Sequence, residues 1–260
     1  DVSDRYVVDL LRSRMRVLDA IIRAHPEEAA QRDLRNEYFG LSNSEKAYSG
    51  QVRGLQDPVI LARRRDTEKR FQEAIDATPA LKDRYGDLIR SMAELQDEKR
   101  SQEAGFGAFL AMTSDAMESA TLYRALVAFQ IVNARTGGAP PEAVDPLMEE
   151  LKGVPQQHPE LNKGLMAARF QDFLSGFGED SDIARAVLGG RTPEAAAAAV
   201  FEGSLLSDSA GAVAAMEAGT VQMTDPALQV VQGYLPRFMQ FQQAVSQLFP
   251  QEEEIAADLG

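Results

Sequence analysis

The sequence predicts an all-α protein, an array or bundle of long and short helices with no sheet, and three observations carry that prediction. Apolar residues recur at three- and four-residue steps along nearly the whole chain, which is the period of an amphipathic helix. Four junctions, Asp57-Pro58, Thr78-Pro79, Thr192-Pro193 and Asp225-Pro226, set a side-chain oxygen directly before a proline. That pairing opens helices, because the oxygen can cap free N–H groups and proline at the first helical position has none to leave unpaired. No segment alternates apolar and polar residues as a half-buried strand would.

Val7, Leu10, Leu11, Leu18, Ile21 and Ile22 predict a first helix that ends near His25-Pro26. The next helix is the most distinctive. Asn36, Gly40, Asn43, Ala47, Gly50 and Gly54 fall on one face, and Leu34, Tyr38, Leu41, Tyr48, Val52 and Leu55 on the other, interrupted by Glu45. Each glycine costs about 0.5 to 1 kcal/mol relative to alanine in a helix interior. Three along one line therefore predict a close approach, by another backbone or by a ligand. Pro58 to Ala77 follows, with Leu61, Phe71 and Ile75 on one side, then Pro79 to about Glu103 with a seam of Leu81, Tyr85, Leu88, Met92 and Leu95. Seams of that spacing pack side by side.

Thr113 to Arg135 is apolar almost all round and closes on Gly137-Gly138, which predicts a buried central helix. Shorter helices are expected beyond it, over Pro141 to Lys152, Pro159 to about Ser175, Ser181 to Leu188, Pro193 to Glu202, Ala210 to Glu217 and Pro226 to Phe249. One domain over 1–260 is expected, with long helices in 1–136 and shorter ones in 139–250.

The 260 residues are 44% hydrophobic, enough for a substantial core. A formal charge of -13 argues against a nucleic-acid partner. The densest basic run, Arg63-Arg64-Arg65, sits among acids, with Arg64 and Glu68, Asp66 and Arg70, and Lys69 and Glu73 spaced to pair, and it reads as a solvated face. No apolar run is long enough to span a bilayer, so no membrane partner is expected. A start at Asp1, without Met or a basic and apolar leader, predicts an excised or processed segment.

The chemistry of an independent enzyme is missing. There is no Cys, so thiolate catalysis is excluded. The two histidines, His25 and His158, each precede a proline at a helix junction and read as turn residues, with no nucleophile or orienting acid in the local pattern. No nucleophile elbow, phosphate-binding glycine loop or paired-histidine metal motif occurs. The runs Glu149-Glu150 and Glu252-Glu253-Glu254 diverge around a helix and cannot share an ion, so no metal or cofactor is expected.

The string from Leu41 to Leu55, with Asn43, Lys46, Gly50, Gly54 and Leu55 in an Asn-x-x-Lys-x-x-x-Gly-x-x-x-Gly-Leu pattern, resembles the helical domain of bacterial serine dipeptidyl-peptidases of the dipeptidyl-peptidase seven and eleven type. The likeness continues through Leu122-Tyr123-Arg124, Phe201-Glu202-Gly203-Ser204 with Asp208, Asp225-Pro226-Ala227-Leu228 and Ala257-Asp258-Leu259-Gly260. In that family an all-helical domain is inserted into a chymotrypsin-like double β-barrel that carries a Ser-His-Asp triad.

The resemblance implies a helical cap domain of a periplasmic or secreted exopeptidase that releases dipeptides from peptide N-termini. Its expected partners are peptides with a free N-terminus and the catalytic barrel of the same parent chain; a homodimer is compatible with it. By position in the motif, Asn43 would help hold the substrate's α-amino group. Residue chemistry alone also admits a structural Asn43, bonded to its own backbone or to a neighbouring helix. The alternative for the whole chain is a stand-alone helical interaction module that binds a partner helix along the small-residue stripe.

Overall fold

The computed structural model describes residues 2–102, 105, 107–109 and 119–259, and among them every regular element is helical. The first half forms α1 (Val2–Ala24), α2 (Pro26–Gln31), α3 (Leu34–Leu55), α4 (Pro58–Ala77) and α5 (Pro79–Ser101). Then come α6 (Ala120–Thr136), α7 (Pro141–Gly153), α8 (Pro159–Phe177), α9 (Asp182–Leu188), α10 (Pro193–Gly203), α11 (Ser209–Glu217) and α12 (Pro226–Leu259). No described helix is long and apolar enough to cross a membrane.

All four proline junctions start helices, and three of the four oxygens cap them. Asp57 accepts from the N–H groups of Val59 and Ile60, Thr192 from Ala195 and Asp225 from Ala227, whereas the Thr78 hydroxyl makes no cap bond. Two boundaries differ from expectation. The six-residue α2 is too short to show a period, and it is set off from α3 by Asp33 in the left-handed region at φ 53°. The last helix does not stop at Phe249 but continues through Pro250 to Leu259, over 34 residues. The expected start of the central helix at Thr113 lies outside the described residues, as does Glu103; the described helix α6 begins after Ser119, whose hydroxyl accepts from the N–H of Leu122.

The main core is built from α6 to α12. Leu122, Ala125, Ala128 and Ile131 of α6 meet Met166, Phe170 and Phe173 of α8, Val187 and Leu188 of α9, and Leu228, Val231 and Tyr234 of α12. A smaller core joins Leu18 and Ile21 of α1, Ala29 of α2 and Leu34 of α3 to Leu161 and Leu165 of α8. Helix α8 thus holds both cores, one on each side. Two glycines make this packing possible: a Cβ on Gly164 of α8 would lie 2.7 Å from Val17 Cγ1 of α1, and one on Gly233 of α12 would lie 2.9 Å from the Ala186 carbonyl.

Helices α4 and α5 form a hairpin outside these cores, with α5 lying along α12. Helix α4 buries only Ile75; Phe71, expected on its inner side, is exposed. Of the three pairs predicted on α4, Arg70 with Asp66 (2.8 Å) and Lys69 with Glu73 (3.7 Å) form, and Arg64 with Glu68 does not. Glu252 is not simply solvated: it accepts from Lys99 Nζ at 2.6 Å and Gln96 Nε2 at 2.7 Å, which tie α5 to α12 and hold its carboxyl below the usual range.

Candidate functional site

Helix α3 rests its apolar face on α1. Leu34 is buried, and Tyr38, Leu41, Tyr48, Val52 and Leu55 are half-buried. Glu45, the odd carboxylate on that face, is a clasp: Arg12 of α1 donates to Glu45 Oε1 from Nε at 2.9 Å, and Ser49 Oγ donates to the same oxygen at 2.7 Å. The Ser49 hydroxyl and the Arg12 guanidinium hold the Glu45 carboxyl below the usual carboxylate range. A second tie runs from Arg14 Nε to Glu37 Oε1 at 2.9 Å. Together they set the rotation of α3 about its axis, and so decide which residues face outward.

The outward face is the small-residue stripe. Asn36, Gly40, Asn43, Ala47, Gly50 and Gly54 are all exposed, and a Cβ built on any of the three glycines meets nothing within 4 Å. The expected close approach is therefore absent among the described residues. Packing among the described residues does not account for the glycines, because α1 and α2 are engaged on the other side of α3. The Asn43 side chain makes no hydrogen bond to its own backbone or to a neighbouring helix among the described residues, so both amide donors and the carbonyl face open space. Lys46 is exposed as expected.

One neighbour escaped the sequence reading. Phe39, one turn before Asn43 on the same helix, is 65% exposed. The i, i+4 spacing to Asn43 was legible, but nothing in a single sequence separates a phenylalanine that faces solvent from one that joins a seam.

The two histidines are brought together, with ring centroids 5.8 Å apart. Contrary to the local pattern, His158 does have an acid partner, Glu28 of α2, at 2.8 Å from Nε2. Its Nδ1 accepts the Glu160 N–H at 3.2 Å and caps α8. Nε2 thus joins α8 to α2 and Nδ1 caps α8, and no hydroxyl is hydrogen-bonded to either imidazole among the described residues. This geometry is structural rather than that of a nucleophile and base. No group of three or more His, Cys, Asp or Glu side chains among the described residues could hold a metal ion.

The remaining strings singled out in the sequence also build structure. Arg124 is fully buried and donates from Nη1 to the carbonyls of Leu206 (3.1 Å) and Ser207 (3.2 Å) and from Nη2 to that of Pro155 (2.8 Å), joining two loops to α6. Asp225 accepts from Ser204 Oγ at 2.7 Å and from the Leu205 N–H at 3.0 Å. Gly203 leaves the space that Pro226 fills, since a Cβ there would lie 3.1 Å from its Cγ. Residues 201–208 and 225–228 are therefore one knot that joins α10 to α12.

The described chain holds an open helix face with an unpaired amide, set by two ion pairs on a rigid double core, and no assembled nucleophile. The family model described as Peptidase S46 matches residues 2–259. No curated protein and no solved structure matches the chain.

Proposed function

The chain belongs to the peptidase S46 family, and from that premise we propose that it is the helical cap domain of a serine exopeptidase that releases dipeptides from peptide N-termini. The single observation that carries this reading is Asn43, an amide without a partner, in the middle of a helix face cleared of side chains. A peptide's α-ammonium has a pKa of about 7.7 to 8.0 and is mostly charged at neutral pH, so it requires acceptors. The Asn43 carbonyl is one, and the flanking Gly40 and Ala47 leave room for a chain terminus to reach it.

In this reading the nucleophile, base and orienting acid belong to a β-barrel of the parent chain, outside the 260 residues, and the enzyme acts outside the cytoplasm. The helical domain covers the cleft, and an ammonium held at a fixed distance from the nucleophile limits cleavage to dipeptide units. The family match favours this over a stand-alone interaction module, which the open stripe alone would suit.

The test uses the full-length parent enzyme with a dipeptidyl-aminomethylcoumarin substrate. A charge-assisted hydrogen bond contributes about 1.5 to 3 kcal/mol, so Asn43→Ala is expected to lower kcat/KM roughly 10- to 150-fold. The N-acetylated substrate has no ammonium to hold, and its slow turnover should be insensitive to the same substitution. An unchanged kcat/KM for the free-amine substrate overturns the assignment.

A further inference from the structure

Helix α4 packs on α5 and leaves much of its circumference bare. At about 100° per residue, Val59, Ile60, Arg63, Arg64, Thr67 and Phe71 fall within an arc of about 140°. All six are exposed, and the apolar ones are open to a degree that packing on α5 does not explain: Val59 is 59% exposed, Ile60 40% and Phe71 58%. No carboxylate between Val59 and Phe71 points into that arc. Asp66 lies behind one edge, where it holds Arg70 at 2.8 Å, and Glu68 lies beyond the other. Although Glu68 is spaced to pair with Arg64, the pair does not form, and neither Arg63 nor Arg64 makes an ion pair or a side-chain hydrogen bond among the described residues. With Glu68 at its margin, a shallow depression is framed by Arg63, Arg64, Thr67 and Phe71.

One exposed phenylalanine or one solvated arginine needs no explanation. A face that combines arginines with aromatic and aliphatic side chains, and contains neither lysine nor carboxylate, has the composition of the centre of a protein interface. Two unpaired guanidiniums side by side call for carboxylates. Ile60 and Phe71 lie about 16 Å apart along the helix axis with those guanidiniums between them, so the complementary surface is an acidic stretch with an apolar residue at each end. A helix supplies it directly, because residues eleven apart share a face. Lipid and nucleic acid suit the face less well. Both are polyanions that would have to approach a chain of net charge -13, and a bilayer favours one continuous apolar stripe over two apolar spots divided by arginine. A second copy is also disfavoured, since two α4 helices crossing symmetrically at Thr67 would bring Arg64 of each to Arg70 of the other.

We propose that this face of α4 docks an acidic amphipathic helix of another protein, with carboxylates on Arg63 and Arg64 and apolar residues on Ile60 and Phe71. The docking does not depend on the assignment of Asn43, which lies on α3.

The probe is an N-acetylated, alanine-rich helical peptide with two leucines eleven residues apart and glutamates between them on the same face, titrated into the protein and followed by calorimetry at low salt. The same peptide with glutamine for glutamate keeps the shape and lacks the charge. The acidic peptide should saturate with Kd about 10 to 100 µM, and the glutamine peptide should bind about 10-fold more weakly. Raising the salt to about 0.5 M should bring the two together. Arg63→Gln combined with Arg64→Gln, at exposed positions, should erase the difference between the peptides, and Phe71→Ala should weaken both. Asn43→Ala should change none of these values, so failure here is separable from failure of the cap reading. Equal affinity for the two peptides, acidic-peptide binding unaffected by the double arginine substitution, or no saturation by about 1 mM overturns the proposal. So does tighter binding of phosphatidylglycerol vesicles or duplex DNA than of the acidic peptide, or self-association of the protein that the double substitution abolishes.

Discussion

Substituting Gly40 and Gly50 together by alanine should make this chain more stable and, under the cap reading, its parent enzyme slower. Each glycine costs about 0.5 to 1 kcal/mol relative to alanine in a helix interior. At neither position does an added Cβ meet any atom within 4 Å, so nothing offsets the gain. The pair is therefore expected to add about 1 to 2 kcal/mol, and for a chain of this length that raises Tm by about 2 to 8 °C. Far-UV circular dichroism with heat or urea reads the effect directly. Gly164→Ala and Gly233→Ala are the contrast: the propensity gain is the same, but the new methyl strikes Val17 at 2.7 Å or the Ala186 carbonyl at 2.9 Å, so each should destabilise by about 1 to 3 kcal/mol. Under the cap reading, the alanine at 40 puts a methyl one turn from Asn43, and kcat/KM should fall although the domain is more stable. A double variant that is less stable than the parent would mean that some surface covers the stripe in solution, and the argument from an open face would fail.

Other consequences follow from the same contacts. Arg124→Leu strands the carbonyls of Leu206, Ser207 and Pro155 in the interior and should cost about 3 kcal/mol or more in urea unfolding; a loss below about 1 kcal/mol would show that water replaces the guanidinium. Asp225→Ala removes a helix cap together with the bonds from Ser204 and Leu205, and a loss of about 2 kcal/mol is expected in the same assay; an undiminished midpoint would contradict the knot. Glu45 has a folded-state pKa below its unfolded value, so the unfolded chain takes up its proton first. The clasp's contribution is complete above the unfolded pKa and is lost as pH falls through the lowered folded one. Glu45→Gln should therefore lower stability at pH 7 and flatten the decline as pH falls through and below the ordinary carboxylate range, and an acid limb identical to that of the parent would refute the clasp.

Helix starts were legible because the proline junctions carry their own chemistry, an oxygen to cap and a nitrogen with nothing to donate. Ends were less so. Pro250 reads as a stop, yet the bond it removes lies in a part of α12 where Leu248 alone is buried and solvent can satisfy the freed carbonyl. Helix α2 has too few residues to show a period, and only the Pro26 start marks it. The instructive case is glycine. The stripe on α3 was the loudest signal of close packing and meets nothing, whereas Gly164 and Gly233, which belong to no such stripe, sit where an added Cβ would lie under 3.0 Å from a neighbouring helix. Spacing along one chain shows that bulk is missing from a face; which surface comes to that face depends on the register of distant elements. The same limit hid the partner of His158, which lies on α2.

Helix α12 is anchored in the main core chiefly by its first half. Ala227 to Tyr234 lie in the main core, Phe238 and Phe241 pack against its edge on Phe109, and beyond them the helix buries Leu248 alone while carrying α5, and through it α4. Past Phe241 it is in effect a cantilever, interrupted once more at Pro250. From Phe241 to Leu259 the beam is about 27 Å long, so a bend of only about 10° there swings its tip by about 5 Å. The outer hairpin can thus change its distance from a neighbouring surface by the width of a peptide chain while Ala227 to Phe241 stay on the core.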